Sequence, residues 1–320
     1  MLNSAPEYVD RSETKGRRRS KADLNLMDDF ISACKNNDIE AVKVVLEKSE
    51  TIDINYIDQY GDTPLIWAAC KNNLEIVKLL LSSGANIHHA NMAGNTALIW
   101  AAIKNNPEMV KLLLINGADI NHVTKDGDTA LLWASYYNNP EVVKLLLSSG
   151  ANTNQANNCG NTALIWAMNN DNLEMVKLLL INGADINHAT KYGDTALLWA
   201  GYYNNLEIVK LLLSSGANIN QANKFGNTTL IYAVNKKNPE MVKLLLRNGA
   251  NINHADKGGK TALTFAIEEK YENIKNIITL YIILRVKRSF TSDRRSRDIL
   301  PITYLQVIPR DIIFVIESFL

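Results

Sequence analysis

The chain has 320 residues, with 34 Lys and Arg against 33 Asp and Glu, so its net charge is +1. This balance excludes a polybasic nucleic-acid-binding protein and an acidic chain without a core. Hydrophobic residues make up 47% of the chain, which is enough to bury a core, while three cysteines are too few for a disulfide-built secreted scaffold. We therefore expect a folded cytoplasmic protein, with the nucleus as an alternative through the basic ends of the chain.

The N-terminal segment, residues 1–25, is predicted to be a basic disordered arm. Residues 1–21 hold six basic and three acidic residues and lack the apolar stretch of a secretory signal. Residues 26–59 keep a two-helix pattern with a polar outer face and are predicted to form an N-terminal capping repeat. The longest apolar stretch of the chain, residues 277–286, is too short to span a bilayer, so no membrane partner is expected.

A 33-residue repeat organises the middle of the chain. Thirteen of the 16 glycines fall in two columns with this period, which begin at Gly61 and Gly84. The five tryptophans form one further column: Trp67, Trp100, Trp133, Trp166 and Trp199. The repeat predicts six full units over residues 60–257 and a C-terminal capping repeat over residues 258–285 that ends in one longer helix.

The first full unit shows how each repeat should fold. Thr63 is placed to cap a short helix of about seven residues that begins with Pro64. Asn72 and Asn73 then turn the chain into a second helix of about nine residues, which Gly84 ends in a left-handed conformation. Helices this short are stable only when they are stacked against neighbours. The fold class is therefore all-α, a solenoid in which helix-turn-helix units alternate with hairpin-like loops.

These residues resemble the ankyrin repeat family. The family pattern T-P-L-H-x-A is present as Thr63 to Ala68, and later units read TALIWA, TALLWA, TTLIYA and TALTFA. The resemblance implies an ankyrin-repeat solenoid that binds a protein partner along its concave surface. The usual His of the pattern is replaced, for example by Ile66, and the next position by Trp. We expect the tryptophans to face the neighbouring repeat as core residues.

The repeats also have a double period. Residues 94–159 and 160–225 are identical at 53 of 66 positions, as expected of a tandem duplication of a two-repeat block. Odd and even repeats can therefore present different surfaces.

No catalytic or metal-binding chemistry is predicted. The histidines at His89, His122, His188 and His254 stand one repeat apart, roughly 8–10 Å, which is too far for ligands that must each lie about 2 Å from one ion. Cys34 and Cys70 lack a neighbouring base and are interpreted as small packing residues. Nucleotide-binding and hydrolase motifs are missing from the sequence. We expect a monomeric protein that is not an enzyme and uses no cofactor, metal or small-molecule substrate.

The resemblance places partner contacts at the loop tips and at the exposed end of the first helix of each repeat. The residues of this sequence at those places are Tyr60, Lys71, Lys104, Asp126, Tyr136, Tyr137, Tyr192, Tyr202, Tyr203, Phe225 and Lys236. Tyrosine is a frequent interface anchor because it offers a large area at low entropy cost. We predict that the tyrosine pairs form a partner-binding stripe; the alternative is that they only flank the turns.

The C-terminal residues form two further segments. Residues 286–298 are predicted to be a basic linker, either a solvated connection or a contributor to nuclear import or weak nucleic-acid contact. Residues 299–320 hold a helix that begins at Pro309. The residues that define its pattern are Ile308, Pro309, Asp311, Ile312, Ile313, Ile316, Phe319 and Leu320.

This terminal helix resembles the first helix of an F-box over some 13 residues. Truncated F-box-like tails of this kind follow ankyrin arrays in poxviruses and some intracellular bacteria, and are called PRANC-type. The resemblance implies a substrate adaptor that acts in a host cytoplasm and links a bound protein to a Skp1 and cullin ubiquitin ligase. The alternative is a plain scaffold or masking protein whose terminal helix covers the end of the solenoid.

Overall fold

The computed structural model describes residues 21–48 and 52–292. These ranges hold 16 α-helices in two compact units, which divide between Asp119 and Ile120. The helices of the first unit are α1 (Lys21–Asn36), α2 (Ile39–Lys48), α3 (Pro64–Cys70), α4 (Leu74–Ser82), α5 (Ala97–Ile103) and α6 (Pro107–Ile115). Those of the second unit are α7 (Ala130–Tyr136), α8 (Pro140–Ser148), α9 (Ala163–Ala167), α10 (Leu173–Ile181), α11 (Ala196–Tyr202), α12 (Leu206–Ser214), α13 (Thr229–Asn235), α14 (Pro239–Arg247), α15 (Ala262–Glu268) and α16 (Glu272–Ser292).

Within each unit the first helices of successive repeats pack side by side. In the first unit α3 lies between α1 and α5, and the second helix α4 contacts both α2 and α6. In the second unit α7, α9, α11, α13 and α15 pack in sequence, and α16 packs against α14 and α15. The buried residues come mainly from the Leu, Ile and Ala positions of the first helices and the Ile, Met, Val and Leu positions of the second helices. The predicted fold class, an all-α stack of helical repeats, is confirmed.

The local signals expected from the sequence produce these helices. The Thr63 hydroxyl accepts a hydrogen bond from the backbone N–H of Ile66 at 3.3 Å, and Pro64 starts α3. Asn72 adopts a left-handed φ of 60° between α3 and α4, and the Asn73 side chain caps α4. Gly84 has a φ of 86°, which an L-residue rarely adopts, so the glycine there ends α4 without steric cost.

The loops between repeats are turn-rich and closed like small hairpins. In the third full repeat the N–H of Thr124 donates to the carbonyl of Asp128 at 2.9 Å, and the N–H of Gly127 donates back to Thr124. Among residues 21–48 and 52–292, β-structure is limited to an isolated antiparallel bridge between Ala255 and Thr261. The expected hairpin-like loop is therefore built from tight turns.

Two helices depart from the common pattern. The first helix of the fourth full repeat, α9, has five residues and ends at Ala167, and just beyond it the Asn170 amide donates to the carbonyl of Tyr136 at 2.9 Å. The last helix, α16, has 21 residues and runs to Ser292, past the expected end near residue 285. At the other end of the chain α1 begins at Lys21. The domain boundaries drawn from the sequence stay predictions.

Polar side chains join neighbouring repeats. The amide of Asn172, which starts α10, donates to the Asn138 side chain of the preceding repeat at 2.7 Å, and Asn238 donates to Asn204 at 2.7 Å. The imidazole Nε2 of His188 donates to the Gly160 carbonyl at 3.0 Å. His89 and His254 make the corresponding bonds to Gly61 and Gly226, so these histidines connect loops.

The tryptophan column does not lie in the core. All five indoles are half-buried, whereas the alanines beside them are fully buried. The prediction that the tryptophans are core residues was therefore wrong in part. Each tryptophan is therefore partly buried and keeps part of its surface exposed.

None of the helices in the described part of the chain has the length and apolar character needed to cross a membrane. The predicted F-box-like helix, residues 308–320, lies outside the described residues, as do the basic arm before Lys21 and the end of the basic linker.

Candidate partner-binding surface

A first aromatic cluster lies at the end of α7 in the second unit and comprises Trp133, Tyr136, Tyr137 and Trp166. Tyr137 stacks on Trp133 with ring centroids 5.8 Å apart, and Tyr136 meets Tyr137 edge to face at 5.1 Å. Tyr136 also reaches the next repeat, where its ring contacts Trp166 edge to face at 4.5 Å. Such ring geometries are favourable beyond the area they bury. The cluster therefore joins two repeats and holds its rings in fixed positions.

A second aromatic cluster repeats this arrangement two repeats further on and comprises Trp199, Tyr202, Tyr203 and Tyr232. Tyr203 stacks on Trp199 at 5.7 Å, and Tyr202 contacts Tyr232 of the next repeat at 5.6 Å. The ammonium group of Lys236 lies 4.3 Å from the centre of the Tyr202 ring, within range of a cation–π contact.

Helical spacing explains why the same cluster forms twice. Trp133, Tyr136 and Tyr137 are three and four positions apart and so share one face of the last turn of α7. Tyr137 is the C-terminal cap of α7, and Tyr203 is the C-terminal cap of α11. A residue at a cap projects past the helix end, which leaves Tyr137 48% and Tyr203 46% exposed.

Two tyrosine hydroxyls of the second cluster, those of Tyr203 and Tyr232, have a raised pKa. Burial is the main cause that raises the pKa of Tyr203, and the neighbouring tyrosines raise it further. Burial also raises the pKa of Tyr232, with a further contribution from the charge of Asp194. The Tyr203 hydroxyl donates to the Asn169 side chain at 2.7 Å. Both groups are therefore neutral hydrogen-bonding groups at physiological pH.

The loop tips of the second unit carry exposed rings beside the clusters. Tyr192 is 60% and Phe225 is 58% exposed. Adjacent tips are joined by backbone hydrogen bonds, for example from the N–H of Lys224 to the carbonyl of Tyr192 at 2.8 Å. The N–H of Asn158 makes the same bond to Asp126. These bonds hold successive tips in register.

The first unit holds the remaining candidates in a different arrangement. Lys71 lies over Trp67 at 5.7 Å and Lys104 over Trp100 at 5.8 Å, so these exposed lysines cover the indoles that tyrosines cover in the second unit. Tyr60 is exposed at a loop tip, and its carbonyl accepts from Met92 at 3.1 Å.

Ten of the 11 predicted partner-binding residues are exposed, and Tyr136 is half-buried because it packs between Tyr137 and Trp166. The structure brings the two tyrosine pairs into the two clusters and joins Lys236 to the second. It keeps Tyr60, Lys71 and Lys104 in the first unit. Exposure alone does not establish binding, so these residues remain a prediction.

Sequence reasoning missed several members of the surface. The tryptophans were taken as core, although their column lies three and four residues before the tyrosine pairs and could have been placed on the same helix face. Lys257, exposed at the loop tip that ends the sixth full repeat, was also missed.

The indole N–H groups differ between repeats. In the first full repeat the Trp67 indole donates to Asp58 at 2.9 Å. Within the described ranges, four other indole nitrogens are buried without a hydrogen-bond partner, and these belong to Trp100, Trp133, Trp166 and Trp199. A buried donor without a partner costs about 1–3 kcal/mol, so each of these repeats carries a local penalty.

The other reactive side chains have packing roles. Burial raises the pKa of the Cys34 thiol to about 12, so this group stays protonated. A group of three or more His, Cys, Asp or Glu residues placed to hold a metal ion is not found in the part of the chain that the structure describes.

Comparison with known proteins gives the same repeats. The family model described as "Ankyrin repeats (3 copies)" matches residues 20–91, 87–157, 149–223 and 215–282, which together cover most of the chain. A 51-residue stretch is 47% identical to the Acyl-CoA-binding domain-containing protein 6 homolog of Dictyostelium discoideum, and covers 16% of this chain and 17% of that protein.

Two further relatives come from an animal and a virus. The Ankyrin repeat, SAM and basic leucine zipper domain-containing protein 1 of Mus musculus is 37% identical over 79 residues, or 25% of this chain and 16% of that protein. The Ankyrin repeat protein OPG189 of Variola virus is 33% identical over 88 residues, or 28% of this chain and 14% of that protein. The matched part is therefore less than a fifth of each of the three relatives.

Proposed function

This chain belongs to the ankyrin repeat family, whose repeats are a protein–protein interaction module, and we propose that it binds its partner protein through the two aromatic clusters and the adjoining loop tips of the second unit. The clusters lie on the side of the first helices, which the family resemblance predicts to be the concave binding surface. The alternative from the sequence, in which the tyrosines only flank the turns, predicts that removing them leaves binding unchanged. A cytoplasmic location is part of the proposal.

The observation that carries this proposal is that large rings are both exposed and fixed. Tyr137, Tyr202 and Tyr203 each expose more than 40% of their surface, yet each packs against a neighbouring ring. A side chain already held in one rotamer loses little entropy when a partner covers it, whereas ordering a free side chain costs about 0.5–1.5 kcal/mol. Fixed aromatic side chains are therefore suited to anchor an interface.

The proposal is tested by quantitative affinity purification of the full chain from cells. The variant Tyr137→Ser/Tyr203→Ser removes the two capping rings, and Tyr136→Ser/Tyr137→Ser/Tyr202→Ser/Tyr203→Ser removes both pairs. Each lost hot-spot ring is worth at least about 2 kcal/mol, so recovery of the partner should fall more than tenfold in both variants.

The matched control is Ile181→Ser/Leu284→Ser, which removes two exposed apolar side chains from the second helices α10 and α16 of the same unit. Circular dichroism establishes that each variant remains folded. Undiminished recovery of every captured protein by the quadruple variant, or equal loss in the control, would rule out the clusters as the binding site.

A second candidate function rests on the sequence of residues 308–320. Its pattern of Pro309, Asp311, Ile312 and Ile316 resembles the first helix of an F-box. The chain would then act as a substrate adaptor that delivers the protein bound by the repeats to a Skp1 and cullin ubiquitin ligase. The alternative is a scaffold or masking protein whose terminal helix has a structural role.

Direct binding to purified Skp1 separates these alternatives. The adaptor function predicts that the wild-type chain retains Skp1, that Ile312→Asp/Ile316→Asp abolishes retention, and that the polar-position control Glu317→Ala preserves it. Failure of the wild-type chain to retain Skp1 leaves the scaffold alternative.

A further inference from the structure

Three lysines form a row at consecutive loop tips of the second unit: Lys191, Lys224 and Lys257, named here the tip lysines. All three are exposed. The backbone fixes their register, because the N–H of Lys191 donates to Cys159, that of Lys224 to Tyr192 and that of Lys257 to Phe225, at 2.8–3.0 Å. The row is thus a repeated feature of the folded backbone.

The tip lysines have no ion-pair partner within the two described ranges. Lysines on the second helices of the same unit behave differently: Lys177, Lys210 and Lys243 each pair with a glutamate three residues earlier, at 2.7 Å. These three lysines are therefore paired on their own helices, while the charges of the tip lysines are available to a partner.

The carboxylates of the same tips are engaged within the fold. Asp194 accepts a hydrogen bond from the Asn223 amide at 2.8 Å, and Asp256 accepts one from the N–H of Lys260 at 2.8 Å. The acidic side chain Asp126 stands at an earlier tip of the unit. The Asp194 and Asp256 carboxylates are both half-buried, whereas the three tip lysines are exposed, so the ammonium groups are the charges most accessible to a partner along the tips.

Exposed aromatic rings alternate with these charges. Tyr192 and Phe225 directly follow Lys191 and Lys224 in the sequence and are 60% and 58% exposed. A partner that lies along the tips meets a positive charge and an aromatic ring at the first two tips, and a positive charge alone at the third, where Gly258 follows Lys257.

We propose that the tip lysines and their neighbouring rings bind an acidic segment of the partner protein in an extended, polyproline-like conformation, with its carboxylates three residues apart. Packed helices lie roughly 8–10 Å apart, so the tip lysines recur at about that spacing. Three residues of a polyproline II helix advance about 9 Å, which matches this spacing, whereas two residues of a β-strand advance about 7 Å. This inference rests on the proposed function and specifies the chemistry of its partner.

A nucleic acid fits the row less well. A strand of the double helix carries one phosphate per about 3.4 Å of helix axis, so three cations at wider axial intervals neutralise few of them. Single-stranded DNA is therefore used as a competing probe in the test.

The test measures binding of fluorescein-labelled peptides to the full chain by fluorescence anisotropy. The probe peptide is (Pro-Pro-Glu)4. Its controls are (Pro-Pro-Lys)4, which reverses the charge, and Pro-Glu-Pro-Glu-Pro-Glu-Pro-Glu-Pro-Pro-Pro-Pro, which keeps four glutamates but spaces them by two. The variant Lys191→Gln/Lys224→Gln/Lys257→Gln removes the row. Its matched control, Lys177→Gln/Lys210→Gln/Lys243→Gln, removes the same charge from the second helices of the same unit.

We expect (Pro-Pro-Glu)4 to bind more tightly than either control peptide, and the tip variant to weaken it about tenfold, given the small value of each exposed charge contact. The helix variant should leave binding within twofold, and raising the salt to 1 M should abolish it. Equal binding of the three peptides, equal loss in both variants, or tighter tip-dependent binding of a 12-nucleotide thymidine strand would each overturn the inference. The proposed function is judged separately, by whether the tyrosine variants lose the captured partner.

Discussion

The carboxylate of Asp58 connects the capping repeat of the first unit to the first full repeat, and its removal gives a sharp test of the energetics. One oxygen accepts from the backbone N–H groups of Tyr60 and Asp62 at 2.9 and 3.0 Å. The other accepts from the Trp67 indole at 2.9 Å and from Lys35 at 3.1 Å. In Asp58→Asn the amide oxygen can keep the two backbone bonds, but the amide nitrogen faces two donors.

The expected cost follows from those two lost contacts. The indole loses a hydrogen bond to a charged acceptor, a class worth about 1.5–3 kcal/mol, and stays buried without a partner. The ion pair with Lys35 is partly screened because the lysine side chain is 32% exposed, so it adds at most about 1 kcal/mol. We predict that Asp58→Asn lowers the free energy of unfolding of the first unit by about 2–3 kcal/mol at pH 7.

The effect should depend on pH with a definite sign. Burial alone would raise the pKa of Asp58, but the hydrogen bonds from Tyr60, Trp67, Asp62 and Lys35 outweigh it and hold the pKa below its ordinary value. A carboxyl group whose pKa is lower in the folded than in the unfolded chain stabilises the folded chain at any pH above its unfolded-state pKa, which is near 4 for aspartate. This stabilisation is lost as the pH falls through the folded-state pKa. The cost of Asp58→Asn should therefore shrink below about pH 4.

The assay is urea unfolding at pH 7 and pH 3, combined with hydrogen exchange of the peptide that covers residues 60–80. Asp29→Asn is the matched control, because Asp29 lies exposed on α1 of the same unit and the substitution removes the same charge. If Asp58→Asn destabilises the unit by no more than Asp29→Asn does, the assigned role of the carboxylate is refuted.

Three further substitutions test how the repeats are held. Thr190→Asp should stabilise the second unit by about 1 kcal/mol, seen as a higher melting temperature, because it offers the unpaired Trp199 indole an acceptor like Asp58. Thr190→Asn is the uncharged control. An unchanged melting temperature in Thr190→Asp would contradict this prediction. Gly226→Ala should lower the free energy of unfolding in urea by more than about 3 kcal/mol, because the added Cβ would lie 2.7 Å from the Asp256 Cα. Gly249→Ala should cost about 1 kcal/mol, because Gly249 has a similar positive φ but no atom close to the added Cβ. Equal costs for the two variants would count against the close approach of the tips. Asn238→Ala should lower the free energy of thermal unfolding by about 1–2 kcal/mol, since it removes the side chain that accepts from the Met241 N–H and donates to Asn204. A change below about 0.5 kcal/mol would contradict the stabilising role of the asparagine bonds between repeats.

Local signals made the repeat fold predictable from the sequence. Thr63, Asn72 and Gly84 each have a conformational preference that acts over a few residues. The threonine and the glycine recur every 33 positions, and the asparagine recurs as Asn105, Asn138 and Asn204. The helix bounds that follow from them agree with the structure to about one residue in the regular repeats. In the fourth full repeat α9 ends early, Asp171 replaces the turn asparagine, and the Asn170 amide bonds to a carbonyl 34 residues away. A bond between distant residues leaves no local signal.

The candidate surface was predictable in part for the same reason. Exposure of the tyrosine pairs follows from their place at helix ends. The contact of Tyr136 with Trp166 depends on the distance and rotation between two packed helices, which the sequence pattern does not specify. The tryptophans occupy an apolar column, and an apolar column is compatible with both a core and a half-buried edge. Packing within the second unit decides between them.

Hydrogen-exchange footprinting of the full chain with and without its captured partner tests the central claim most directly. The account predicts protection at residues 133–137, 190–193, 199–203 and 223–226, which hold the tyrosine pairs and the loop tips. It predicts unchanged exchange in the second helices α10 and α12. Protection confined to α10 and α12, with the clusters and tips unaffected, would contradict the claim that this surface binds the partner.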